Sequence, residues 1–286
     1  MSTQTQSLYE KIDNAIIQSN SLVCVGLDPD ISKMPLCLVN KDISDEEKVF
    51  TFLMQIIDIT ASHACAFKIQ KAFYDQFDLG HALLKETVQY IKNNYPHIPV
   101  IIDCKIGDTD NTMLAYMHLL FEDIQADAVV VNPYMGDDVL EPFMQDQHKG
   151  AVVLVQTSNP RAQIVQEITS INNIPLWQEI LHLTLNRWNV NNNLILVLSS
   201  NANLSNYEAI RQQIPQNVPI LLAGIGLQGG NPIILKQLLN ENNRGVFVNS
   251  SRGILYPYDR NNNNWHIEVL NAVVELKNML NTIRNQ

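Results

Sequence analysis

The chain has 286 residues, 46% hydrophobic and 17% charged, with 19 Lys and Arg against 29 Asp and Glu for a formal charge of -10. That composition excludes a disordered, collagenous or coiled-coil chain. Its acidity argues against nucleic acid or an anionic membrane as partner. An anion bound by such a chain has to be held by a few placed cations and backbone N–H groups.

No apolar run approaches the roughly 20 residues of a membrane span. The start, MSTQTQSLYEK, has neither a basic cluster nor an apolar stretch, so a cytoplasmic protein without a secretory signal is expected. Cys24, Cys37, Cys65 and Cys104 form no C-x-x-C pair and read as reduced thiols. The histidines are scattered without H-x-x-x-H spacing, so no metal site is expected.

A helix is expected over about 5–18. Eight short runs rich in Val and Ile follow, at 21–28, 64–70, 99–107, 127–134, 150–157, 194–200, 218–226 and 245–252. Nearly continuous apolarity is how strands buried on both faces of a parallel sheet read. Helical spacing separates them, clearest in 45–63, where Val49, Phe52, Leu53, Ile56, Ile57 and Thr60 share a face. Further helices are expected near 79–93, 111–124, 176–189, 204–213, 232–241 and 266–284. Strands alternating with helices predict an α/β fold, a (β/α)8 TIM barrel with an extra N-terminal helix, in one domain over 1–286. A doubly wound open sheet is the alternative. The longest irregular stretch, 158–174, has the length of a lid.

In such a barrel the active site lies where the strands end. These ends carry Asp28, Lys68 and Gln70, then Asp103, Lys105 and Asp108, then Asn132, Thr157, Ser158, Ser200 and Asn201. Gly224, Gly226, Gln228 and Arg252 complete the rim. Strand alternation puts Asp103 and Lys105 on one face and Cys104 on the other. With Lys68 from the neighbouring strand they form a Lys-Asp-Lys array, which is either catalytic or a satisfied ion network that only closes the barrel. The glycine-rich turn AGIGLQGGN and Arg252 one strand later fit the phosphate site that barrels of this kind build after strands seven and eight.

The segments VGLDPD, FKIQKAFY, DCKIGDTDNT, NPYMG, QTSNP, GIGLQGG and NSSRGILY occur in this order over about 21–257. Together they resemble the orotidine 5'-phosphate decarboxylases, in particular the longer subgroup. The D-x-K-x-x-D core alone is shared with sugar-phosphate enzymes on the same barrel. The resemblance implies conversion of orotidine 5'-phosphate to UMP and CO2, the last step of de novo pyrimidine synthesis, with no metal or organic cofactor. It matches Lys68, Asp103, Lys105 and Asp108 to a charged catalytic tetrad. Asp28 and Thr112 match ribose contacts, and Gln70 matches a polar position near the sugar. Thr157 and Ser158 match the segment that contacts the pyrimidine. Gln228 and Arg252 match phosphate ligands, helped by backbone at Gly226 and Gly229. It further implies a homodimer in which Asp108 and Thr112 reach the neighbouring site.

The sequence departs from the family pattern at Thr109, usually apolar, at Asp110, usually Gly, at Ala223, usually Pro, and at the LSSN segment 198–201. A hydroxyl at 109 is expected to lower the rate. Two other readings stand beside the decarboxylase: a metal-dependent sugar-phosphate decarboxylase or synthase of the same superfamily, and a catalytically silent nucleotide-binding barrel.

Overall fold

The computed structural model describes residues 6–201, 207–225 and 230–286. Among them, eight parallel strands close into a barrel in chain order. They are β1 (Val23–Gly26), β2 (Ala66–Gln70), β3 (Val100–Ile106), β4 (Ala128–Val131), β5 (Gly150–Leu154), β6 (Leu194–Ser199), β7 (Ile220–Ala223) and β8 (Val246–Ser250). Pairing of β8 with β1 closes the ring. The strands are buried almost throughout, because one face fills the barrel and the other lies under helices.

The helices form where the sequence caps them. Ser7 and Glu10 make a reciprocal capping box at the start of Leu8–Ser19, and Ser44 and Glu47 do the same for Asp45–Thr60. The latter buries Val49, Phe52, Leu53, Ile56, Ile57 and Thr60, the face its spacing predicts. Helices Gly80–Asn94 and Trp265–Arg284 also lie close to their expected positions.

Other elements differ from expectation. A helix over Asp137–Gln145 joins β4 to β5, where the sequence pattern shows none. It is short and contains Pro142, which obscures its periodicity. The expected helix 111–124 is an α-helix over Asp110–Met117 that widens into a π-helical segment, His118–Asp123. The expected helix 176–189 widens in the same way after Leu183. The expected helix 232–241 shortens to Ile234–Leu238, where Leu239 turns extended. Of the helix expected over 204–213, Tyr207–Gln213 is described and the start lies outside the described residues. The stretch 158–174 carries a single helical turn, Gln163–Gln166, and its Thr169 bridges Pro175.

The N-terminal helix packs across the starting ends of the strands. The Tyr9 hydroxyl donates to the Leu194 carbonyl at 2.6 Å. Asp127, just before β4, accepts from Lys11 at 2.7 Å, from Lys92 at 2.5 Å and from the Val100 N–H at 2.7 Å. Its side chain is 16% exposed. Removing it strands two cations and a backbone donor, so Asp127→Ala should cost about 2 kcal/mol or more. A lowered melting temperature with an unchanged rate is the expected result. A change in rate without loss of stability would contradict a purely structural role.

Candidate active site

The C-terminal strand ends surround a cavity of about 360 Å3, within the range of small-ligand sites. Val130, Leu154, Val197 and Leu221, from β4 to β7, give it an apolar wall. The polar side is built from β1, β2, β3 and β8.

Its centre is Asp103. One carboxylate oxygen accepts from Lys68 at 2.8 Å and the other from Lys105 at 2.6 Å. Lys68 is 6% exposed and Asp103 7%. Burial on its own would push the Asp103 carboxyl up, but Lys68 and then Lys105 overcome it and hold the group below its usual value. Burial likewise works to discharge Lys68, and Asp103 followed by Asp28 holds it above its usual value.

Lys105 reaches this position by a route that strand alternation does not contain. The β3–β4 register shifts between Ile102 and Ile106, and Lys105 sits at φ +48°. A left-handed backbone costs an L-residue roughly 1–2 kcal/mol. Its ion pair with Asp103 and a contact from Gln70 help hold it there. Gln70 is directly paired with Asp103 across the strands. With its amide oriented to satisfy its neighbours, its oxygen accepts from Lys105 Nζ at 3.2 Å and its NH2 donates to the Asp103 carbonyl. Gly107 follows the bulge where the backbone passes close to β4: a Cβ there would stand 2.3 Å from the Asn132 carbonyl oxygen.

Thr157, Ser158, Asp28 and Arg252 also line the cavity. Gln166 holds Thr157 at two points, accepting from its N–H at 3.1 Å and donating to its hydroxyl at 2.8 Å. Asp28 Oδ1 is buried and has no hydrogen-bond partner among the described residues. Gly224 takes φ +100°, which opens the turn after β7. Gly226, Gln228 and Gly229 lie outside the described residues. Asp108 and Thr112 do not join the cavity of their own chain. Asp108 accepts from the Thr109 N–H at 2.8 Å, and Thr112 is exposed on the helix Asp110–Met117.

Sequence reasoning assigned no role to Gln166, Tyr256, Asp30 or Lys33. The last three line the cavity, and Lys33 pairs with Asp30 at 2.7 Å. Tyr256 closes the NSSRGILY segment, so its presence was legible and its contact was not. Among the described residues no group of three or more His, Cys, Asp or Glu side chains is placed to hold a metal ion.

The array fixes its own pH window. A depressed Asp103 contributes stability above its unfolded value of about 3.9, lost as pH falls through the folded value. A raised Lys68 contributes stability below about 10.4, lost as pH rises through the folded value. Asp103→Asn leaves Lys68 buried beside a neutral amide and should cost roughly 3 kcal/mol near neutrality. The stability gap from wild type should be widest near neutral pH and narrow as pH rises towards about 10, where an unpaired Lys68 discharges. Thermal melts across pH test this, and a gap that does not vary with pH counts against it.

The chain resembles known proteins along most of its length. A curated orotidine 5'-phosphate decarboxylase from Cellvibrio japonicus is 39% identical over 251 residues, 87% of this chain and 90% of that one. One from Bordetella pertussis is 34% identical over 279 residues, 97% and 99% of the two chains. Among solved structures, Leishmania donovani OMP decarboxylase superposes with a TM-score of 0.80 at 28% identity, covering 98% of this chain and 99% of that one. Leishmania donovani UMP synthase gives 0.82 at 29% identity, and this chain spans 57% of that longer chain. The family model described as orotidine 5'-phosphate decarboxylase / HUMPS matches residues 21–262. These residues include Lys68, Asp103, Lys105 and the whole barrel, and the chain belongs to that family.

Proposed function

We infer that the chain decarboxylates orotidine 5'-phosphate to UMP and CO2, the closing step of pyrimidine nucleotide synthesis, with no metal or organic cofactor, in the cytoplasm. The observation that carries this reading is one buried carboxylate held between two lysines at the wall of a cavity of nucleotide dimensions.

The chemistry follows from charge. Loss of CO2 leaves an electron pair at C6 of the pyrimidine ring. Lys105 stabilises that carbanion electrostatically and then donates a proton to it. Its side chain is 44% exposed and faces the cavity, while Lys68 is enclosed. Lys105 is therefore the proton donor, and Lys68 keeps Asp103 ionised. Asp103 lies against the departing carboxylate and aims Lys105. Asp28 receives a ribose hydroxyl on its unpartnered oxygen. Thr157 and Ser158 contact the pyrimidine. Arg252 grips the phosphate, with Gln228 and the backbone at Gly226 and Gly229 as further ligands. Phosphate binding supports catalysis at a distance by helping to close the site.

Asp108 and Thr112 serve the site of a second copy in a homodimer. Thr112 is exposed and Asp108 half-buried, and both lie outside the cavity of their own chain, which supports this placement. Thr109 and Asp110, both exposed beside them, then lie near the shared site.

Loss of orotidine 5'-phosphate absorbance on adding protein tests the reading. Turnover should survive EDTA and fall by about 10,000-fold or more in Lys105→Ala. Activity abolished by EDTA would identify a metal-dependent relative, and UMP binding without turnover a silent barrel. Arg252→Ala should lose about 10- to 100-fold in kcat/KM with its melting temperature unchanged. A lowered melting temperature with intact kinetics would sink the phosphate assignment.

A further inference from the structure

Tyr256 follows the single helical turn Arg252–Leu255, and its N–H donates to the Arg252 carbonyl at 3.1 Å. Its hydroxyl reaches the turn after β1. There it accepts from the Asp30 N–H at 2.6 Å and donates to the Asp28 carbonyl at 3.0 Å. A phenol has one proton to give and lone pairs to receive with, so both bonds form together. The ring is stacked on Phe52, with centroids 5.8 Å apart and planes within 7°. That packing restrains the hydroxyl from swinging away. Burial pushes the phenol far above its ordinary range, so it remains a donor.

The turn that Tyr256 holds carries Asp28. Just before it, Leu27 is fixed from the other side: its N–H donates to the Lys68 carbonyl at 2.8 Å, and its carbonyl accepts from Tyr74 at 3.2 Å. Asp28 lines the cavity, and its Oδ1 is buried and unpartnered. A desolvated carboxylate oxygen without a donor is costly unless a ligand supplies one. Among the described residues no hydrogen bond holds that oxygen, and Lys68 acts on the carboxylate only through its charge. Its position is inherited from backbone that Tyr256 fastens on both sides.

We propose that Tyr256 is a positioning residue for sugar recognition, holding the Asp28–Asp30 backbone so that the free Asp28 oxygen meets a ribose hydroxyl, and tying that contact to the turn that opens with Arg252. The proposal rests on the nucleotide reading above. It adds a residue whose hydroxyl is engaged by backbone at Asp28 and Asp30 and which acts on sugar choice through that backbone. A site built to bond a hydroxyl discriminates strongly against a substrate that lacks it, because its own polar group is then left unpaired. That discrimination depends on the polar group being held in place beforehand.

Tyr256→Phe removes the hydroxyl and keeps the ring against Phe52. The measurement is kcat/KM for orotidine 5'-phosphate and for its 2'-deoxy and 3'-deoxy analogues. Wild type should prefer the ribonucleotide over at least one analogue. In Tyr256→Phe that preference should shrink by about tenfold or more, mainly through loss on the ribonucleotide. Tyr258→Phe is the matched control: its hydroxyl is buried with no hydrogen-bond partner among the described residues, and its removal should leave the preference unchanged. In an Asp28→Ala background, Tyr256→Phe should add nothing to the change in preference, since both act through one carboxylate.

An unchanged preference in Tyr256→Phe overturns the proposal. So does an equal loss on all three substrates, with or without a lowered melting temperature, and so does additivity with Asp28→Ala. Absence of turnover by wild type overturns the decarboxylase reading instead. The comparison is then made by calorimetry with UMP and its 2'-deoxy and 3'-deoxy forms as ligands, and it decides the role of Tyr256 by the same criteria.

Discussion

A carboxylate with little access to water has to be paired, and the structure around the cavity is arranged to pair Asp103 twice. Lys68 and Lys105 each take one oxygen, and the pairing fails if the strands slip. Gln70 lies opposite Asp103 and Lys68 opposite Ile101, so the β2–β3 register delivers the first cation. A slip by one residue would turn Lys68 to the outer face of the barrel. The second cation comes from within β3 itself, through a bulge and a left-handed backbone. The barrel therefore fixes Lys68 and Asp103, while Lys105 depends on those two being in place.

The opposite end of the barrel offers a comparison. Asp127 also sits between two lysines, Lys11 and Lys92. There the carboxylate takes a backbone N–H as well, and the cluster fastens the N-terminal helix across the strand ends. The cluster at the mouth is built differently. Lys105 spends one of its three N–H donors on Asp103 and one on Gln70, and it stays partly exposed. A donor remains for something in the cavity. The two clusters share residue types and differ in where their lysines face: Lys11 and Lys92 are 17% and 23% exposed at the closed end of the barrel, while Lys105 is 44% exposed and lines the cavity.

Most of the fold was legible because it rests on periodicity. Eight apolar runs become eight strands, and the buried face of Asp45–Thr60 is the one its spacing marks. The helix Asp137–Gln145 was missed because Pro142 interrupts a pattern only nine residues long. At the site, types and positions were legible and geometry was not. The meeting of Asp103 and Lys105 was expected from alternation and occurs through a bulge that no local signal announces. Gln70 lines the cavity as its expected place near the sugar requires, and it also contacts Lys105 and the Asp103 backbone, which sequence did not indicate. Gln166 is one glutamine in a polar stretch, and nothing in its neighbours indicates that it braces Thr157. Contacts between loops depend on tertiary placement, and a single sequence carries periodicity far better than it carries those.

An acidic chain that holds an anion must concentrate its few cations. Over the whole chain acids outnumber bases, 29 to 19. Around the cavity the balance reverses, with Lys33, Lys68, Lys105 and Arg252 against Asp28, Asp30 and Asp103. Two of the cations, Lys68 and Lys33, are held by Asp103 and Asp30. Among the described residues no ion pair is formed by Arg252, and Lys105 keeps one donor, so on the proposed reading these two meet the ligand's negative charge on either side of its sugar. In that arrangement the sugar spans the two, and the link from Arg252 through Tyr256 to Asp28 runs beside it. A phosphate and a reacting ring bound at the ends of one molecule are best aligned when the pocket between them is held at fixed length, and in the proposed arrangement Tyr256 bridges the two loops while Lys68 and Tyr74 fasten the same turn at Leu27.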